Sequence, residues 1–178
     1  KKQKINKPVN YILALTIVDK ADPAFKNPTK PVGIFYKSEA EAKAANPGST
    51  IKEDAGRGWR KVVASPIPIN FVGIEGIQKA VKDGTCVITG GGGGIPVVET
   101  KDGFEGVDGV IDKDFALSRI AELVEADQLV ILTAVSRVCI NWGKPNQQAL
   151  KEMSVAEAEK YIAENQFAPG SMLPKVKA

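Results

Sequence analysis

Cys86-Val87-Ile88-Thr89 runs into five consecutive glycines, Gly90 to Gly94, and the chain resumes as Ile95-Pro96-Val97-Val98. Few folds can accommodate that stretch. Ordering five glycines carries a large entropy cost and weakens any regular element. A folded chain tolerates them where backbone must approach something closely, or where successive N–H groups must point at an anion. An apolar, β-branched run that stops at such a loop is how α/β proteins place a ligand at the carboxyl end of a sheet. A flexible surface loop is the competing reading, and the rest of the chain has to decide between them.

Composition narrows the partners. The 178 residues are 43% hydrophobic, enough for one sizeable core. Lysine and arginine number 24 against 21 acidic residues, a formal +3, with no like-charge run beyond Lys1-Lys2. That balance argues for neither nucleic acid nor a membrane surface as partner. No apolar stretch reaches the length of a membrane span, and no signal peptide is visible, so a cytoplasmic protein is expected. Cys86 and Cys139 lie in apolar runs and read as buried thiols rather than a disulfide. There is no histidine, which excludes Ser-His and Cys-His nucleophilic catalysis and histidine metal ligation within this chain. The sequence lacks an initiator methionine and stops in what reads as the first turn of a helix; a longer parent chain is expected.

Taken in order, residues 9–18 read as a strand covered on both faces. Residues 24–68 read as a small lobe attached to the main sheet. It holds a Pro-rich loop, a helix opened by the capping box Ser38-Glu39-Ala40-Glu41, and a hairpin pairing 51–54 with 59–63. From residue 69 the pattern becomes α/β. A helix over 74–82 carries Ile74, Ile77 and Val81 on one face. Strands follow at 85–89 and 95–99, then a helix over 113–125 with Leu117, Ile120, Ala121 and Val124 facing the core. Further strands are expected at 128–133 and 138–141, and a helix at 154–164 behind the capping box Ser154-Val155-Ala156-Glu157. Helices alternating with continuous apolar strands predict a parallel, doubly wound sheet.

Four residues stand where charge could be aimed. Lys113, in Ile111-Asp112-Lys113-Asp114, sits between a strand-like end and a helix start. Asp114 lies in the first helical turn, suited to the positive end of the helix dipole and to orienting lysines. Lys175 follows Gly170-Ser171-Met172-Leu173-Pro174, a loop leading into a helix. Lys30 is held stiffly between Pro28 and Pro31. Arg57 and Arg60 flank a glycine-bearing turn. Solvated lysines at ordinary helix starts, and a solvated hairpin tip, are the alternatives. Together, a glycine loop, placed lysines and an aspartate without a base-activated nucleophile suit phosphoryl transfer. That chemistry asks for positive charge and N–H groups around spread-out oxygens. The loop is not a Walker loop, because no Gly-Lys-Ser/Thr follows it, and Pro96 interrupts the helix that a dinucleotide fingerprint should open.

Five stretches then resemble one family. They are Asp22-Pro23-Ala24-Phe25 with Asn27-Pro28-Thr29-Lys30-Pro31; Glu53-Asp54-Ala55-Gly56-Arg57-Gly58-Trp59-Arg60; Gly91-Gly92-Gly93-Gly94-Ile95-Pro96; Val110-Ile111-Asp112-Lys113-Asp114; and Gly170-Ser171-Met172 with Pro174-Lys175. In this order, across nearly the whole chain, they resemble the carbamate kinases of the amino acid kinase fold. The resemblance implies a three-layer α-β-α sandwich with a mainly parallel sheet and a small protruding lobe, 24–68. Residues 1–23 would be part of the core sheet, and 69–178 the nucleotide-binding and catalytic core. It implies reversible phosphoryl transfer between ATP and carbamate with Mg²⁺, giving ADP and carbamoyl phosphate, and running toward ATP in arginine catabolism. A homodimer is implied as well.

By the same resemblance, Lys113 and Lys175 hold the phosphoryl group and nucleotide phosphates, Asp114 organises them, and Lys30 reaches over the carbamate site. Gly91, Gly92, Gly93 and Gly94 form a substrate-side anion cradle with Arg57 as a further substrate contact. Thr133, Val138, Trp142 and Met172 surround the nucleotide, and no residue is singled out as a metal ligand. The sequence departs from the family at Ala14-Leu15, where Thr-Gln is usual, at Ile67 in place of a lysine, and at Ser136 in place of an aspartate. An N-terminal Gly-Gly-Asn-Ala loop, a Gly-Asn-Gly-Pro loop and a final strand–helix segment fall outside the sequence, so this stretch alone is expected to be inactive. Two alternatives stay open: a sibling amino acid or nucleotide kinase, and a non-catalytic or regulatory protein of the same fold.

Overall fold

The computed structural model describes residues 6–54 and 56–178. The chain divides into one unit ending at Ala126 and a second running Asp127–Ala178.

In the first unit the strand expected over 9–18 is two strands, β1 (Val9–Tyr11) and β2 (Leu15–Val18). Ile12 N–H still donates to Ile88 O at 2.9 Å before the chain passes into a different sheet. β1 is exposed along its length, not covered on both faces, because it belongs to a separate two-stranded pair. Next come β3 (Lys30–Tyr36), α1 (Glu39–Ala45), β4 (Ile51–Glu53) and β5 (Trp59–Val63). These strands form an antiparallel sheet of order β3-β5-β4, with Lys30 opposite Val63 and Glu53 opposite Trp59. α1 lies against this sheet through the fully buried Ala42. Ser38 Oγ accepts from Glu41 N–H at 3.2 Å, while the Glu41 carboxylate turns back to Lys37 N–H at 3.1 Å, one residue short of a closed capping box.

β6 (Pro68–Phe71), α2 (Ile74–Lys82), β7 (Cys86–Ile88), β8 (Ile95–Thr100), β9 (Gly103–Gly106) and α3 (Lys113–Leu123) complete the unit. The main sheet has the order β6-β2-β8-β9. Its centre is parallel, with Leu15 opposite Ile95 and Ile17 opposite Val97, and both flanking pairs are antiparallel. β1 and β7 form a second parallel pair. The α/β pattern therefore holds, but antiparallel edges frame the parallel centre. β9 was not legible: Gly103-Phe104-Glu105-Gly106 carries two glycines, and only its hairpin partner β8 makes it a strand.

The core gathers Val18, Phe71, Ile74, Ile77, Val98, Ile111, Ala116 and Ile120. Burying each large side chain stabilises the fold by about 1.5–3 kcal/mol. α2 buries Ile74 and Ile77 as expected, but Val81, at its last turn, is exposed. α3 buries Asp114, Ala116 and Ile120, whereas Leu117 is exposed. On the same helix Arg119 Nε donates to Ile69 O in β6 at 2.7 Å.

The second unit holds β10 (Cys139–Ile140) and β11 (Gln148–Ala149), an antiparallel pair, then α4 (Val155–Ala163) and α5 (Met172–Lys177). The capping box at Ser154 and Glu157 is closed on both sides. The buried strand expected over 128–133 is absent, and Leu132 is 92% exposed. A strand needs neighbours to satisfy its N–H and C=O groups, and no described strand pairs with this run. The strand expected over 138–141 shortens to two residues. Cys86 is exposed and Cys139 half-buried, both as free thiols, which corrects the expectation of two buried ones. No described helix is long and apolar enough to cross a membrane.

Candidate functional site

The glycine run forms a turn seated on the protein. Gly93 N–H donates to Gly90 O at 2.7 Å. Gly90 and Gly91 take φ of 78° and 48°, conformations that glycine adopts without strain. Gly93 and Gly94 allow no side chain: a Cβ on Gly93 would overlap the Ile111 carbonyl, and one on Gly94 would overlap the Thr16 hydroxyl. Thr16, fully buried in β2, donates its hydroxyl to Gly93 O at 2.8 Å. Two of the glycines thus serve close packing, and the Gly93 N–H is used within the turn. Gly91 and Gly92 are exposed, and their N–H groups, with that of Gly94, have no partner among the described residues. Three N–H groups, not four, remain to meet an anion. The Thr89 hydroxyl, just before the turn, is buried without a partner among the described residues.

Ile111, which Gly93 touches, leads straight into the charged cluster. Asp112, 8% exposed, is the N-cap of α3: its Oδ1 accepts from Asp114 N–H at 3.0 Å. Its Oδ2 accepts from Lys30 Nζ at 2.6 Å. Lys30 opens β3, so this contact joins the three-stranded sheet to the start of α3. Lys113 Nζ lies 3.4 Å from Oδ1 of the buried Asp114, with its side chain more than half exposed. Lys30, Lys113, Asp114 and the glycine turn therefore surround one helix N-terminus, where the dipole adds positive potential. Burial pushes the Asp112 carboxyl up. The Lys30 hydrogen bond, the Asp114 N–H and the charges of Lys30 and Lys113 outweigh burial and hold it below its ordinary value of 3.8.

The sequence alone assigns Asp112 no role. The aspartate before a helix start signals an N-cap; its pairing with Lys30, 82 positions away, has no sequence signal. A crevice of about 620 Å³ opens between the three-stranded sheet and the segment before α3, lined by Phe25, Val32, Lys61, Val63, Asp108 and Val110.

Arg57 is held at the far tip of that sheet. It pairs with Asp54 at 2.8 Å and lies 5.1 Å over the Phe35 ring, while Arg60 reaches Asp54 at 3.0 Å and Gly33 O at 2.7 Å. Burial raises the Asp54 pKa, but hydrogen bonds and charge from the two arginines bring it below 3.8. Among the described residues no contact joins Arg57 to Lys30. Of the positions that depart from the family, Ala14 is buried with its carbonyl 2.9 Å from where a Gly94 Cβ would sit. Leu15 is half-buried in β2. Ile67 is exposed and its N–H donates to Asp22 Oδ2 at 2.9 Å, and Ser136 is exposed.

In the second unit, Trp142 and Met172 line a pocket of about 180 Å³ together with Val135, Arg137, Phe167 and Ser171. Complete ligand sites run to about 300–1,000 Å³, so this one suits a single ring system. Thr133 is exposed outside it. Val138 is half-buried, its carbonyl accepting from Leu150 N–H at 2.8 Å. Lys175 lies half-buried in α5. The described residues contain no cluster of three or more potential metal ligands. The buried carboxylates Asp112 and Asp114 each lie against an ammonium group.

Residues 35–178 match the amino acid kinase family. The chain is 60% identical over 178 residues to the carbamate kinase of Clostridium perfringens, covering 99% of this chain and 57% of that protein. It is 57% identical over 176 residues to a carbamate kinase-like protein of Mycoplasma pneumoniae, again covering 57% of it. Among solved structures, carbamate kinase from Giardia lamblia bound to AMP-PNP superposes with a TM-score of 0.80 at 44% identity, over 96% of this chain and 55% of that one. The chain spans about half the length of the curated relatives it matches. It belongs to the amino acid kinase family, and its fold is that family's α/β fold.

Proposed function

We propose that this chain is the catalytic core of a carbamate kinase, transferring a phosphoryl group between ADP and carbamoyl phosphate. The observation that carries the reading is the cluster at the start of α3, where Lys30 and Lys113 meet one helix N-terminus whose preceding residue, Ile111, packs on the glycine turn. In the transfer, a terminal oxygen of ADP bonds to phosphorus as the bond from phosphorus to the carbamate oxygen breaks, and carbamate leaves as an anion. Charge spreads over the equatorial oxygens, and preformed donors stabilise it without reorganising.

In this reading Lys30 covers the carbamate end, Lys113 and Lys175 neutralise the group in flight and the nucleotide phosphates, and Asp114 orients the lysines. Gly91, Gly92 and Gly94 donate to the small anion, and Arg57 is an outer substrate contact. Trp142 and Met172 take the base in their pocket, with Thr133 and Val138 on its margin. Support for the nucleotide comes from the AMP-PNP held by the Giardia relative. Mg²⁺ would supply neutralising charge to the phosphates when bound with the nucleotide. Residues 24–68 would be the substrate-side lobe, between the core strands of 1–23 and the catalytic core of 69–178. A cytoplasmic homodimer making ATP at the end of arginine catabolism completes the proposal.

The test is ATP formation from ADP and carbamoyl phosphate by the full-length protein. Turnover well above background is expected, and folded protein without turnover overturns the reading. Lys113→Ala should lower kcat on the order of 10²–10³-fold, as removal of a charge-stabilising donor does; near wild-type kcat would remove Lys113 from the reaction.

A further inference from the structure

Asp112 holds two parts of the cluster at once. One carboxylate oxygen accepts from Asp114 N–H at 3.0 Å, and the other accepts from Lys30 Nζ at 2.6 Å. The carboxylate is nearly buried, whereas the Lys30 side chain keeps 29% of its surface open. An ammonium has three donors, so Lys30 can stay on Asp112 and still donate to a bound anion. Lys30 belongs to β3 and Asp112 to the lead-in of α3, and Ile111 beside it touches the glycine turn. Nearby, Val110 N–H donates to Ala64 O at 2.9 Å, so backbone and side chain tie the three-stranded sheet at the same edge.

We propose that Asp112 is a positioning residue: it fixes the lobe lysine Lys30 against the opening turn of α3, so that Lys30, Lys113 and the glycine turn face one small anion together. An aspartate is needed, because a cap alone asks only for an oxygen acceptor. Asparagine caps helices as well as aspartate does, but its neutral amide holds an ammonium far less firmly than a carboxylate. Asp112→Asn therefore separates the two tasks.

The inference rests on the proposed reaction, and two measurements keep the two apart. In the full-length protein, Asp112→Asn should lower kcat/KM for carbamoyl phosphate on the order of 10²-fold, the cost of misplacing a reacting group by about an ångström. KM for ADP should stay within about twofold. Lys30→Met combined with Asp112→Asn should be no worse than Lys30→Met alone, since groups acting as a unit do not add. Asp112→Asn with near wild-type kcat/KM, or losses that multiply in the double variant, overturns the proposal. The second measurement needs no turnover: the urea midpoints of the two single variants and the double variant. Shifts that add independently overturn the coupling even if the reaction proves to be another one. A wild-type protein that folds, shows the coupling and makes no ATP overturns the reaction reading and the anion role assigned to the pair.

Discussion

Around the glycine turn in the unit ending at Ala126, two buried polar side chains meet partners in the chain: Thr16 meets Gly93 O, and Asp112 meets both Lys30 and the Asp114 N–H, while the Thr89 hydroxyl has none among the described residues. In the unit Asp127–Ala178 the pocket is lined mainly by apolar and aromatic side chains, and the apolar run 128–133 is largely exposed and pairs with no described strand. Under the proposed function the two regions would answer different chemical demands. A site that stabilises charge in flight must have its dipoles fixed beforehand, because reorganising them during reaction costs the stabilisation they offer. A site that takes a flat apolar ring needs shape and surface, which side chains on short irregular segments can supply. In that reading the first unit holds its candidate site on strand, turn and helix start, and the second holds its pocket mainly on loop residues with Cys139 of β10 and the opening of α5.

The largest test of this contrast is packing. Phe71→Ala, at a side chain 1% exposed, should cost about 3–5 kcal/mol in urea unfolding of this chain. Leu132→Ala should stay within about 0.5 kcal/mol, as at other exposed positions. Equal losses would mean that the second unit is as tightly packed as the first. The next test is the glycine turn. Gly93→Ala meets the Ile111 backbone at φ 124° and should cost about 2–3 kcal/mol. Gly91→Ala, with nothing within 4 Å and φ 48°, should cost about 1–2 kcal/mol. Reversal of that order in thermal unfolding would show that Gly93 is not seated as described.

The smallest effect is on pH. Asp112 and Asp54 have folded pKa values below 3.8, so the stability they add is fully present above that value and lost as pH falls through the folded values. Partly exposed pairs of this kind contribute about 0–1 kcal/mol each. Urea midpoints followed from pH 6 to pH 3 should fall at the acid end, and less steeply in Asp112→Asn. An unchanged slope would show that Asp112 contributes nothing there.

Elements whose cause is local were legible. α2 starts and stops where its apolar spacing and its Asp83-Gly84 end place it, and α4 opens at its capping box. The β4–β5 hairpin follows its glycine-bearing turn. Elements that differ from the sequence expectation depend on neighbours. The run 128–133 has the composition of a buried strand and no strand beside it among the described residues, and β9 has a poor composition and a good partner in β8. Site residues divide the same way. Lys113 and Asp114 announce themselves at a helix start. The grip of Thr16 on Gly93 spans 77 positions, and nothing near Thr16 signals it.

The sequence by itself determined the family, the helix caps, the glycine turn and the residue types able to surround a phosphoryl group, because those depend on a few neighbouring positions and on motif order. Only the tertiary structure decided which glycine N–H groups remain unpaired, which face α3 buries, and that Asp112 joins Lys30 to that helix. The first is settled by how the turn closes on itself, Gly93 N–H to Gly90 O; the others are contacts between segments far apart in the chain, which exist only once the sheets β6-β2-β8-β9 and β3-β5-β4 have formed.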